Sequence, residues 1–124
     1  MLAGLGTDLI EINRIAEKIK KESGFRETVF SKKEIVYCES KSNKFEHYAA
    51  RFAAKESFFK ALGTGWITGT HFNEVEIIND KSGKPVLILL DETKKTLSPL
   101  GIKKILVSMS HLKEIASAVV IIEK

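Results

Sequence analysis

Apolar residues recur along this chain with two different periods, and each period marks one kind of element. Residues 1–10 are mostly apolar, with Gly4 and Gly6 among them, and read as a strand. From Glu11 to Lys21 the positions Ile12, Ile15, Ala16 and Ile19 repeat at helical spacing, and Ser23-Gly24 ends that helix. Ser31 followed three residues later by Glu34 forms a capping box, which opens a short helix through about Cys38. A polar loop, Glu39 to Asn43, leads into a long helix from Asn43 to Leu62 that contains no Gly or Pro and is closed by Gly63 and Gly65. Phe72 to Ile78 alternates like a strand, with Val75 and Ile77 opposite Glu76. The turn residues Asn79-Asp80-Lys81-Ser82-Gly83 lead back into Pro85 to Leu90, which makes a hairpin. Asp91 is expected to cap a helix to Leu97, stopped by Ser98-Pro99-Leu100-Gly101. Two last strands, Lys103 to Ser110 and Ile115 to Ile122, are joined through His111-Leu112-Lys113-Glu114. Five strands and about four helices, with hairpins toward the C-terminal end, predict an α+β fold with a largely antiparallel five-stranded sheet. With no repeat, low-complexity tract or linker in 124 residues, one domain spanning 1–124 is expected.

Composition narrows the function classes. A single cysteine, Cys38, excludes an intramolecular disulfide framework and a cysteine-based zinc site. The longest apolar run, Val86 to Leu90, falls far short of the roughly 20 residues that span a bilayer. Asp8 and Glu11 interrupt the opening stretch, so it lacks the form of a signal peptide and an intracellular setting is expected. The net charge is +4, from 20 Lys and Arg against 16 Asp and Glu. That surplus lies between Asn13 and Lys33: seven bases (Arg14, Lys18, Lys20, Lys21, Arg26, Lys32, Lys33) face three acids (Glu17, Glu22, Glu27). The first helix puts Arg14, Lys18 and Lys21 on a stripe opposite its isoleucines, a local surface for a polyanion or an acidic protein.

Two carboxylates stand out from their surroundings. On the long helix Phe45, Tyr48, Ala49, Phe52 and Phe59 form one stripe, and Glu56 falls inside it. A carboxylate there must be neutralised, hydrogen-bonded or bound to a cation. Lys60, one turn on, offers a plain ion pair; a cation is the alternative. Asp8 interrupts an apolar strand and either caps the helix that follows or joins Glu56 as a second hard oxygen ligand. Gly63-Thr64-Gly65 is a helix C-cap and also leaves room for a phosphate-bearing ligand, although the Gly-Lys-Ser/Thr of a P-loop is absent. His111 sits where a strand turns into the last hairpin, a place open to catalysis or to ordinary surface hydrogen bonding.

Taken together these segments resemble a known family. Residues 6–15, Gly-Thr-Asp-Leu-Ile-Glu-Ile-Asn-Arg-Ile, resemble the N-terminal motif of the holo-[acyl-carrier-protein] synthases, the small 4′-phosphopantetheinyl transferases. Residues 51–65, Arg-Phe-Ala-Ala-Lys-Glu-Ser-Phe-Phe-Lys-Ala-Leu-Gly-Thr-Gly, are similar to their signature helix; Gly83-Lys84-Pro85 is similar to their hairpin and Ser108-Met109-Ser110-His111 to their C-terminal motif. Departures are a lengthened segment, Trp66-Ile67-Thr68-Gly69, and Leu112 after the histidine; both bear on how the nucleotide end of the substrate is held.

The resemblance implies transfer of the 4′-phosphopantetheine arm of coenzyme A to a serine of apo acyl carrier protein, with release of adenosine 3′,5′-bisphosphate. It further implies that Asp8 and Glu56 bind Mg²⁺ and that Glu56 and Lys60 serve catalysis. Arg51, Lys55, Gly63, Gly65, Pro85 and His111 are then expected to bind coenzyme A, and Arg14, Lys18 and Lys21 to dock the acidic carrier. A cytoplasmic homotrimer in fatty acid biosynthesis is implied as well, with sites shared between subunits, since 124 residues are few to enclose coenzyme A. No membrane or nucleic-acid partner is expected. Against this stand two readings from other classes: a basic nucleic-acid-binding module without catalysis, and a structural subunit in which Glu56–Lys60 is merely a buried ion pair.

Overall fold

Two glycines in the first strand let the long helix lie against its backbone, and the active residues follow from that contact. The computed structural model describes residues 1–124. Strand β1 (Leu2–Glu11) leads into α1 (Ile12–Lys20), α2 (Phe25–Val29), α3 (Lys32–Glu39) and α4 (Lys44–Leu62). After them come β2 (Val75–Asn79), β3 (Pro85–Leu89), α5 (Asp91–Leu97), β4 (Lys104–His111) and β5 (Ile115–Glu123). A Cβ added at Gly4 would drive into the carbonyl oxygen of Ala61, and one at Gly6 into that of Ser57. No other residue type fits there, so Gly6→Ala is expected to destabilise the fold by about 1–3 kcal/mol as α4 is pushed outward. Urea unfolding measures this, and an unchanged midpoint would contradict the close contact.

The fold is α+β and its strand pairs are antiparallel, but five strands do not make one sheet. One sheet has the order β1-β5-β4, and β2 pairs with β3 in a separate ribbon. A groove of about 410 Å³, lined by Leu87, Leu89, Leu97, Ile102 and Ile105, lies between β3 and β4 in place of a hydrogen-bonded ladder. The connection through α5 contributes Leu97 to the core, so apolar side chains rather than backbone bonds join the two layers. Along β1 and β5 the positions facing α4 are Gly4, Gly6, Ala118, Val120 and Ile122, and the last three are buried. The opposite face carries Leu5, Leu9, Ile115 and Val119, all exposed.

Other boundaries fall close to expectation, with three instructive differences. Gly24, at φ 93°, starts a fifth helix, α2, whose five residues are too few for a readable period. Phe72–Glu74 forms a 3₁₀ turn, so β2 begins only at Val75, and Glu76 is buried along with its neighbours because the Ser31 hydroxyl donates to its carboxylate at 2.7 Å. Asp91 does not cap α5: Leu90 holds that position, and Asp91 occupies the first helical turn at φ 46°. The capping box of Ser31 and Glu34 is present as expected.

Two hydrophobic clusters make up the core. Ala53, Phe58, Val75, Ile77, Leu97 and Val120 belong to one, and Ile15, Phe30, Cys38, Tyr48 and Ala116 to the other. Helix α4 contributes to both, so its buried surface is much wider than the single stripe read from its sequence and extends over Arg51 and Lys55.

Candidate active site

Because α4 rests on the glycines of β1, its residues one turn apart come to lie beside Asp8. The Lys60 ammonium donates to the Asp8 carboxylate at 3.0 Å and to the Thr7 carbonyl at 3.1 Å. The ion pair of Lys60 is thus with Asp8 on another element, not with Glu56 on its own helix. Asp8 stays within β1 and does not cap α1, whose cap position is Glu11. Lys60 remains half exposed with one of its three N–H donors uncommitted, whereas the Asp8 side chain is only 15% exposed. Glu56 is half-buried, and burial pushes its carboxyl above the usual carboxylate range. The Asp8 charge adds to that rise, while Lys60 and Lys18 oppose it. Asp8 and Glu56 are oxygen donors of the kind that could hold a hard divalent cation, whose other positions phosphate and water would fill. No three His, Cys, Asp or Glu side chains gather to form a protein-only metal cage.

Two grooves meet at Glu56. The smaller, about 340 Å³, passes Lys60, Gly63 and Gly65; both glycines have positive φ and open space where a Cβ would point. The larger, about 690 Å³, is lined by Phe52, Trp66 and Phe72 together with His71, Asn73 and Thr28. Phe59 and Phe72 stack at 5.1 Å with an interplanar angle of 19°. Sequence reasoning put Phe52 and Phe59 on the apolar stripe of the helix and missed that Phe52 lines the larger groove and Phe59 the smaller, each with Phe72. The only local signal was their recurrence seven residues apart on the face of Glu56.

Lys55 is a correction. Its side chain is fully buried and its three donors go to Glu34 at 2.7 Å, to the Phe72 carbonyl at 2.9 Å and to the Val75 carbonyl. Glu34 in turn accepts from the backbone N–H groups of Ser31 and Ile77, each at 2.9 Å. With no donor left over, Lys55 is a structural clamp between α4, α3 and β2 and not a ligand for a substrate phosphate.

The remaining expected ligands gather elsewhere. Arg51, buried to 2% exposure, lies on the Tyr37 ring at 4.4 Å and donates to the Asn79 side chain at 2.8 Å; its Nε has no partner. Asn79 is paired with Pro85 across the hairpin. His111 Nδ1 lies 3.6 Å from Glu46, and its ring faces His47 at 6.0 Å. Burial, then the charges of Arg51 and His111, lower the His47 pKa. Glu46 and Glu56 are ten residues apart on α4, about 15 Å along the helix. The chain therefore brings Asp8, Glu56, Lys60, Gly63 and Gly65 together, links Arg51 through Asn79 to the hairpin of Pro85, and sets His111 beside the first turn of α4.

On α1, Arg14, Lys18 and Lys21 are exposed while Ile12, Ile15 and Ala16 are buried. Lys18 lies close enough to act on the Glu56 carboxyl, so the basic stripe borders the site. Cys38 is fully buried and its thiol is pushed up to about 12 by burial, which removes it as a nucleophile. No helix is long and apolar enough to cross a membrane.

Comparison with known proteins bears on this arrangement. Residues 4–119 match the 4′-phosphopantetheinyl transferase superfamily. The chain is 46% identical to the holo-[acyl-carrier-protein] synthase of Cytophaga hutchinsonii, with 100% of this chain and 99% of that protein covered. It is 42% identical to the holo-[acyl-carrier-protein] synthase of Solibacter usitatus, with 99% of each covered. Among solved structures, the holo-[acyl-carrier-protein] synthase of Neisseria meningitidis superposes with a TM-score of 0.91 at 33% identity, each chain fully covered. That of Bacillus anthracis, in complex with CoA (3′,5′-ADP), superposes with a TM-score of 0.81 at 36% identity over 100% of this chain and 98% of its own. The motifs, the fold and these likenesses agree: the chain belongs to the holo-[acyl-carrier-protein] synthase family of the 4′-phosphopantetheinyl transferase superfamily.

Proposed function

We propose that this enzyme transfers the 4′-phosphopantetheine arm of coenzyme A to a serine hydroxyl of an apo acyl carrier protein and releases adenosine 3′,5′-bisphosphate. The observation that carries the reading is the meeting of Asp8, Glu56 and Lys60, from β1 and α4, at the junction of two grooves. Such a transfer forms one serine-oxygen-to-phosphorus bond and breaks one pyrophosphate bond, and it depends on positioning and charge neutralisation more than on covalent help from protein groups. Asp8 and Glu56 would hold Mg²⁺, which when bound supplies Lewis-acid polarisation of the phosphoryl centre. Lys60, anchored on Asp8 and Thr7, keeps one ammonium N–H for the negative charge that builds on the departing phosphate. Gly63 and Gly65 leave the backbone open to the pyrophosphate.

Arg51, Pro85 and His111 fit the nucleotide end of coenzyme A, but His111 sits beside Glu46, far along α4 from Glu56 in the same chain. A cytoplasmic homotrimer, in which one subunit's Asp8 and Glu56 work beside a neighbour's His111, reconciles the two. The exposed apolar face of Leu5, Leu9, Ile115 and Val119 supports association there. Arg14, Lys18 and Lys21 are then the dock for the acidic carrier, and membership of an enzyme family replaces the reading as a nucleic-acid module.

Incubation with coenzyme A, Mg²⁺ and apo carrier protein, followed by intact mass measurement, is expected to show one phosphopantetheine added to the carrier; no mass gain would sink the proposal. Reversing Arg14 and Lys21 to Glu is expected to raise the KM for the carrier about tenfold or more and leave that for coenzyme A nearly unchanged. Equal effects on both would count against the docking face.

A further inference from the structure

Trp66 is an aromatic residue left in the open beside a closed aromatic cluster. It is the chain's one tryptophan, and it is 62% exposed although its ring leans on Phe59 at 5.4 Å and Phe72 at 6.1 Å. Its side chain lines both grooves that meet at Glu56. The floor beneath it is rigid: Phe59 and Phe72 are stacked, and the Phe72 carbonyl is held by the buried Lys55 ammonium. Gly65 before it and Gly69 after it take φ 72° and 93°, conformations that hold the ring on the lip of the groove rather than inside the core.

Resting on the transferase reading above, we propose that Trp66 is a specificity-determining residue that covers the pantetheine arm in the larger groove and so selects ligands that carry that arm. The groove offers both chemistries that the arm carries. Its lining is aromatic at Phe52, one helical turn from Glu56, and at Trp66 and Phe72. It is polar at His71, Asn73 and Thr28, and the Asn73 amide is tied to the Glu27 carbonyl of α2 at 3.4 Å. A phosphopantetheine chain starts from its phosphate with a gem-dimethyl group and continues through two amides. The dimethyl group matches the aromatic residues, with Trp66 the exposed one among them, and the amides match the polar residues. Closure of the indole over the dimethyl group buries an exposed ring, a contact that an arm-less nucleotide cannot make.

Because Trp66 is the sole tryptophan, its emission reports on this contact directly. The full chain, in Mg²⁺, is titrated with coenzyme A and with adenosine 3′,5′-bisphosphate, which lacks the arm, and binding is followed separately by calorimetry. Coenzyme A is expected to shift the emission to the blue, and the bisphosphate to bind without doing so. Trp66→Ala is expected to weaken coenzyme A about tenfold, the worth of one good aromatic contact, with the bisphosphate affinity unchanged; Trp66→Phe should retain most of the affinity. Coenzyme A binding without an emission change, or equal weakening of both ligands in Trp66→Ala, overturns the role of Trp66 while the transferase reading stands. No calorimetric binding of coenzyme A overturns both.

Discussion

Replacing Lys55 with methionine is expected to lower the unfolding free energy by about 3–5 kcal/mol, the usual loss when one partner of a buried ion pair is removed. The ammonium sits at zero exposure and satisfies three acceptors on separate elements: Glu34 of α3, the Phe72 carbonyl and the Val75 carbonyl of β2. Without it the Glu34 carboxylate stays buried with only the N–H groups of Ser31 and Ile77, and two carbonyls lose their donor. Adding Glu34→Gln to Lys55→Met removes the orphaned charge and keeps an acceptor for one of those two N–H groups, so the double variant should recover part of the loss. Urea denaturation of the two variants checks this. A cost below about 1 kcal/mol in Lys55→Met would mean that the pair contributes little beyond its own desolvation.

A second large effect is expected on rate with none on folding. Glu56→Gln, and separately Asp8→Asn, should reduce phosphopantetheine transfer at least about a hundredfold, as loss of a group that organises transition-state charge does. The Tm of Glu56→Gln without divalent cation should hold or rise slightly. Burial and then the Asp8 charge disfavour the ionised Glu56 carboxyl, so a neutral isostere relieves the folded state of an unfavourable charge. The contrast with Lys55, one residue away, is the point of the pair of experiments. Neighbours on one helix face opposite duties because one points into protein and the other to the junction of the grooves. Near-normal transfer in either carboxylate variant would overturn the assignment of Asp8 and Glu56 as the charge-organising pair.

What could be read in the chain beforehand was whatever depends on neighbours in sequence. The capping box of Ser31 and Glu34 and the length of α4 rest on contacts within a few residues, and both are in the structure nearly where the spacing puts them. Glu56 and Asp8 stood out for the same reason, each as a charge in a locally apolar run. The helix at Phe25–Val29 was illegible because five residues do not complete two turns, and Asp91 looked like a cap because side-chain type cannot report a backbone φ of 46°.

The partners of the charges were decided only by the tertiary structure. Lys60 looked like the neighbour of Glu56, but the close seating of α4 on Gly4 and Gly6 hands it to Asp8 of a strand far away in sequence. Lys55 matched a motif whose residues were expected to touch ligand, and burial on all sides turned it into a structural tie. Hydrophobic period and capping chemistry are written every few residues, so the sequence by itself determined which elements form and where the unusual carboxylates lie along them. Which charge meets which, and whether a lysine faces substrate or core, depends on how closely two distant segments can approach, and here two missing Cβ atoms on β1 set that distance.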